Sequence, residues 1–350
     1  MKKQDLFEQL RQITPDTDYC QRFLQFATDD EMESLPHLGL ILIAPESFAL
    51  CLIDELIDRI SRSGFVAVDF AVLDPLTEDE IAAMFIPGWI PERFRFWLIQ
   101  RRFMMGPTAA IAVTNHGSEA IGDYLKHSKG YRIPVQAEPG TWRAELPSIN
   151  GVLNLIHTAD HPAHVLRNGA PFFSAERQVQ TLRKVCAIRR GADKGKDWEA
   201  LKRYGLAGYQ SATRKCGSFF EVYFRLLQRL LAREWERTAH PLFVAAQDKI
   251  AKVLRSEVES DLRGGTPATF EAIAAAAQCG EHCDPHVGHL IELLTRLDKA
   301  HDVAWARVLP QVQPAGVSLD RWEELILLTT LYYTDQELSP LVLSACREQL

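Results

Sequence analysis

No run of apolar residues in this chain approaches the roughly 18 that a membrane-spanning helix needs, so no such span is expected. Basic residues are not in excess: 39 Lys and Arg stand against 46 Asp and Glu, a net charge of −7. That balance argues against broad, nonspecific nucleic-acid binding. Cysteines are few, odd in number (seven) and scattered, which fits a reducing compartment better than a disulfide framework. Met1-Lys2-Lys3 is followed at once by Gln4, Asp5 and Glu8, so no secretory leader is expected and a cytoplasmic location is. No repeat of fixed period is visible, which excludes a solenoid. What is present is ample apolar material, 47% of 350 residues, enough for two domains of ordinary size.

Residues 1–36 read as a helical extension, with Leu6, Leu10, Phe23 and Phe26 at helical spacings. Residues 37–176 alternate. Leu38–Ile43, Phe65–Leu73, Thr108–Val113 and Gly151–Ile156 have the apolar character of strands. Ser47–Ile60, Thr77 to about Phe85, Pro91–Met104 and Ser118–His127 have helical patterning, with Thr77 and Glu80 placed as a capping box. The order β-α-β-α-α-β-α-β is that of a split βαβ. It predicts an α+β, ferredoxin-like antiparallel sheet with helices on one face. Arg177, Arg183, Lys184, Arg189, Arg190 and Lys194, with Lys196 just beyond, crowd a segment, 177–195, that reads as a basic linker. From 196 to 350 nearly everything reads as helix, predicting a second, all-α domain. There Trp198, Tyr204, Tyr209, Phe219, Phe220, Tyr223 and Phe224 read as helical core, with breaks at 264–267, at Gly280 and from Pro310 to Gly316.

The most informative stretch is Asn154-Leu155-Ile156-His157-Thr158-Ala159-Asp160, which sets a histidine where a buried strand would end. Upstream lies Pro139-Gly140-Thr141-Trp142-Arg143. Around these come Ala44-Pro45-Glu46 at the end of the first strand, Gly106-Pro107 before the third, Pro162-Ala163 after the histidine, and Phe172-Phe173. In this order and spacing, residues 38–176 resemble the nucleoside diphosphate kinase family. The resemblance implies a fold that binds a nucleoside triphosphate with Mg²⁺ and passes its terminal phosphoryl group through His157. It implies that Arg143 and Lys126 grip phosphate and Asn154 contacts sugar and phosphate. Phe94 or Phe96 would stack on the base. The family commonly forms hexamers or tetramers. Here the N-terminal extension and the helical domain could block those contacts, which leaves a homodimer as the expectation. The helical domain is a candidate surface for a protein partner.

Several positions depart from the family pattern. Ala44 stands where the resemblance places a phosphate-contacting lysine, and Ala159 where it places a serine. Asn168 falls at the glutamate that orients the histidine ring, and Arg132 at a pocket threonine. Arg132 could restore the positive charge missing at Ala44. The departures motivate a rival reading, a catalytically impaired nucleotide sensor or scaffold, and a third, transfer to a new acceptor such as a protein. A separate cluster, Cys279, His282, Cys283, His286 and His289, concentrates thiol and imidazole groups suited to Zn²⁺. Its spacing matches no standard finger, and a plain helix–helix turn explains it as well.

Overall fold

The computed structural model describes residues 3–13, 17–85, 93–117, 120–255, 267–295 and 304–332. The chain forms two compact units, one of residues 1–148 and 154–215, the other of 149–153 and 216–350.

The first unit opens with helices α1 (Lys3–Ile13), α2 (Thr17–Phe26) and α3 (Asp29–Ser34). Strand β1 (Gly39–Ile43) follows, then α4 (Pro45–Ala49) and α5 (Ile53–Arg62). Cys51, at φ 61°, divides the helix expected over Ser47–Ile60 into these two. Next come β2 (Val66–Leu73), α6 (Glu78–Met84), α7 (Arg93–Phe103) and β3 (Thr108–Thr114). Thr77 and Glu80 close the expected capping box in both directions. Helices α8 (Ile121–Lys129) and α9 (Trp142–Glu145) lead to β4 (Ile156–Thr158), α10 (Pro162–Gly169), α11 (Ala175–Arg189) and a single turn, α12 (Trp198–Ala200).

The sheet runs β2-β3-β1-β4 with every neighbouring pair antiparallel. Every residue of β1 and β3 is buried, so both faces of the sheet are covered, not one as expected. Leu40, Leu42, Ala110 and Ala112 pack into one cluster with residues of α1, α2, α10 and α11. On the other face a side chain at Gly39 would strike Leu125 and Ile121 of α8.

The strand expected over Gly151–Ile156 starts five residues later, at Ile156, and is shorter. Its register pairs Leu42 with His157 and Ile43 with Ile156. Two local causes displace it. The Asn150 side-chain oxygen accepts from the Val152 and Leu153 amides (3.0 and 2.8 Å), which closes a turn instead of a ladder. Leu155 then takes φ 71°, a left-handed conformation costing about 1–3 kcal/mol for such a residue.

The basic linker is also corrected: it is helix α11. Val179, Leu182, Val185 and Ile188 fall at helical spacing and are buried in the main core. Three of the charges that suggested a linker, Arg177, Arg183 and Arg190, are ion-paired. Arg177 grips Asp69 through two nitrogens (2.8 and 3.1 Å), and Arg183 reaches Glu31 (2.5 Å). Leu182→Ala is therefore expected to cost about 2–5 kcal/mol in a urea melt, where a linker residue would cost almost nothing. The first unit extends past the expected boundary to Lys215: Lys196 N–H donates to Ala67 O (2.7 Å), and Trp198 Nε1 donates to Phe65 O (3.1 Å).

The second unit is helical among its described residues: α13 (Phe219–Thr238), α14 (Pro241–Arg255), α15 (Pro267–Cys279), α16 (Pro285–Thr295), α17 (Ala304–Val312) and α18 (Arg321–Tyr332). Phe219, Phe220, Tyr223 and Phe224 form its aromatic core, and Tyr223 Oη donates to Leu294 O (3.1 Å). Tyr204 and Tyr209, expected with them, belong to the first unit and are exposed. The Gly280 break is a short 3₁₀ turn, Pro310 lies inside α17, and 264–266 are outside the described residues. No described helix is long and apolar enough to cross a membrane.

Candidate functional site

Because β4 pairs with β1, His157 sits mid-strand opposite Leu42, not beyond the strand end. Its ring is half-buried and meets Phe85 edge-on at 5.3 Å. The Asn168 side chain bonds to that ring. Asn168 Nδ2 already donates to Met84 O (2.6 Å), so its oxygen is left to accept from the imidazole. The second ring nitrogen then keeps its lone pair. Asn168, where the resemblance places a glutamate, thus still orients the ring, as an amide.

Burial first, and then the positive charges of Lys129 and Arg143, push the His157 pKa down to about 3. The imidazole is neutral at physiological pH, the form a nucleophile needs. The same shift bears on stability. The unfolded ring takes a proton near pH 6.5 and the folded ring does not, so stability held above about 6.5 is lost as pH falls towards 3. Between pH 7 and 4 the wild type should lose about 3 kcal/mol more than His157→Gln. Parallel urea melts at the two pH values check this, and equal losses would show that the ring protonates in place.

Lys129 was not singled out from the sequence, and its charge is the one that acts most on His157. Its ammonium donates to Asp160 Oδ1 (3.0 Å) and Thr158 O (3.5 Å), the residues flanking His157 on β4 and just beyond it. Burial holds its pKa below the usual lysine value, against the pull of Asp160. A signal was present: Ile121, Leu125 and Lys129 recur every four residues, on the buried face of α8. Lys126, the expected phosphate ligand, is exposed on that helix.

Arg143 is buried and serves mainly as a brace. It donates from Nε to Asn154 O (3.4 Å), from Nη1 to Gly130 O (3.2 Å) and from Nη2 to Ile156 O (2.5 Å). Burial, then Arg102, pushes its pKa down to about 9. Two of its five N–H groups remain for other partners.

Asn154 lies beside it. Its Nδ2 donates to Arg132 O (3.1 Å), and its oxygen accepts from Arg102 Nη2 (3.4 Å). Arg102, the second residue missed, pairs with fully buried Glu46 through Nε (3.0 Å) and Nη2 (2.5 Å). Glu46 Oε1 also accepts from Leu155 N–H (2.8 Å). Ala44 is fully buried in the main hydrophobic cluster, as is Ala159, so neither position is open to a charged chain. Arg132 is half-buried. Phe96 is half-buried on α7, and the Phe94 side chain lies outside the described residues.

One region of the chain is similar to nucleoside diphosphate kinase. The nucleoside diphosphate kinase of Herpetosiphon aurantiacus is 35% identical over 80 residues, 23% of this chain and 51% of that protein. The chain thus spans about half the length of the curated relative it matches. A solved nucleoside diphosphate kinase from Encephalitozoon cuniculi is similar over 38% of this chain and 86% of its own, at 19% identity and a TM-score of 0.34. No family model matches the chain.

The expected zinc cluster is not assembled. Cys283 Sγ bonds to Cys279 O (3.1 Å) and Cys279 Sγ to Leu242 O (3.6 Å). Burial pushes the two thiols up to about 12 and about 11, away from the thiolate that zinc requires. His282 stacks on His240 at 4.6 Å, while His286 and His289 are exposed. No three His, Cys, Asp or Glu side chains gather as a metal site among the described residues.

Proposed function

We propose that the first unit binds a nucleoside triphosphate and accepts its terminal phosphoryl group on His157. One observation carries this reading: a neutral imidazole, bonded to Asn168, that feels the charges of two buried cations, Lys129 and Arg143. The free ring nitrogen attacks the γ-phosphorus. The bond to the bridging oxygen breaks, the diphosphate leaves, and the phosphorylated ring carries new negative charge beside Lys129. In this reading Asn154 would meet sugar or phosphate, and Phe94 or Phe96 would stack on the base. Lys126, at the helix end above, would meet the phosphate tail. Mg²⁺ would arrive carried on the nucleotide's phosphates. We read the sheet as ferredoxin-like, which the β2-β3-β1-β4 order supports, and place the protein in the cytosol.

A second reading, an impaired nucleotide sensor or scaffold, draws on two observations. Ala44 is core, and Arg143 is largely committed to backbone carbonyls. Losing one preorganised charged donor lowers rate by about 10²–10³. The two readings part on one experiment with γ-labelled ATP or GTP and calorimetry. Phosphoryl transfer leaves an acid-labile, alkali-stable label on the protein. The sensor binds nucleotide without it. Neither binding nor label with any nucleoside triphosphate ends both.

A further inference from the structure

The chain passes from one compact unit to the other and back within the stretch that leads to β4. Residues up to Ser148 belong to the first unit, Ile149–Leu153 to the helical unit, and Asn154 onwards to the first again. No spacer separates Leu153 from Asn154.

Within the helical unit, fully buried Asn150 uses its whole amide. Its Nδ2 donates to Thr329 Oγ1 (2.7 Å) and Thr330 Oγ1 (2.9 Å) on α18. Its oxygen accepts from the Val152 and Leu153 amides. Ile149 and Asn150 N–H groups donate to Leu153 O (2.9 and 3.2 Å), which closes the loop on itself. The next link is equally fixed, from the other side. Leu155, left-handed at φ 71°, donates to Glu46 Oε1, and its carbonyl accepts from Ala44 N–H and Ser47 Oγ (both 2.9 Å). Between these anchors lies Asn154, and two residues after Leu155 comes His157. Such backbone persists only where its surroundings over-determine it.

We infer that Asn150 is a positioning residue. Through Leu153 and Leu155 the helical unit sets the backbone that carries Asn154 and His157, and occupancy of that site acts back on the Asn150–α18 bonds. The inference rests on the reading of His157 as the site of nucleotide chemistry. Thermodynamic coupling makes the effect reciprocal.

The test uses the full chain. Thr329→Val/Thr330→Val removes both hydroxyls that receive the Asn150 amide while keeping side-chain shape, and Thr329→Ser/Thr330→Ser keeps them. In the Val pair, amide exchange across 154–158 should quicken about tenfold without nucleotide, and labelling of His157 should slow about fivefold or more. The Ser pair should restore both. In the wild type, Mg-ATP should slow exchange across 150–153 and in α18. A folded Val pair with unchanged exchange at 154–158 overturns the inference. If that pair does not fold, Thr330→Val replaces it. ATP that binds without altering exchange at 150–153 also overturns it. If ATP neither binds nor labels, the proposed function fails, and the nucleotide-free exchange comparison still decides the role of Asn150.

Discussion

Glu46→Ala is expected to lower the melting temperature of the first unit by about 10 °C or more. Glu46 is fully buried, and Arg102 nearly so. Their two-nitrogen pairing satisfies a charge that has no access to bulk water. Removing one partner of a buried pair costs about 3–5 kcal/mol, because the other charge is stranded. The loss also orphans the Leu155 N–H, a further cost of about 1–3 kcal/mol. For a unit of this size each kcal/mol moves the midpoint by about 2–4 °C. Glu46→Leu combined with Arg102→Leu should recover much of the loss, since replacing both ions by apolar groups removes the stranded charge. Circular dichroism melts of the three proteins decide. A fall under about 3 °C for Glu46→Ala would mean that the pair is hydrated and does not hold Leu155.

His157→Ala should abolish the acid-labile label completely while leaving ATP affinity within about threefold of wild type. The asymmetry follows from geometry. In the proposed step the imidazole nitrogen takes the phosphoryl group, whereas the charges proposed to hold phosphate are those of Lys129 and Arg143. Affinity that collapses together with the label would instead make the ring part of the binding surface. A label that survives in His157→Ala would place the chemistry elsewhere.

Most helices and the core strands were legible because their signals are local. Thr77 and Glu80 close a box three residues apart, and Gly39–Ile43 is continuously apolar because both faces of that strand are covered. Legibility failed where a long-range partner overrode the pattern. The charges of Arg177 and Arg183 suggested a linker because Asp69 and Glu31, their partners, lie 108 and 152 residues away. Leu155 belongs to an apolar run that looks like strand, but Glu46, Ala44 and Ser47 hold it in a left-handed turn. The motif singled out His157, Arg143 and Asn154, and the fold brings Arg143 onto the backbone of Asn154 and Ile156. Lys129 and Arg102 were not singled out: the recurrence of Ile121, Leu125 and Lys129 marks a buried helix face, but what a charge meets there shows only once its partner is in place.

By itself the sequence determined an α+β module followed by helices, and a histidine, an arginine and an asparagine close together near the last strand. Periodicity and motif spacing are properties of neighbouring residues and need no fold to be read. Only the tertiary structure decided that Arg143 braces backbone carbonyls, that Asn168 holds the ring, that Lys129 supplies the nearby charge and that the zinc ligands never meet. Each of those depends on which distant group fills a hydrogen-bonding position in a dry interior, where an unmatched charge or amide is too costly to leave open.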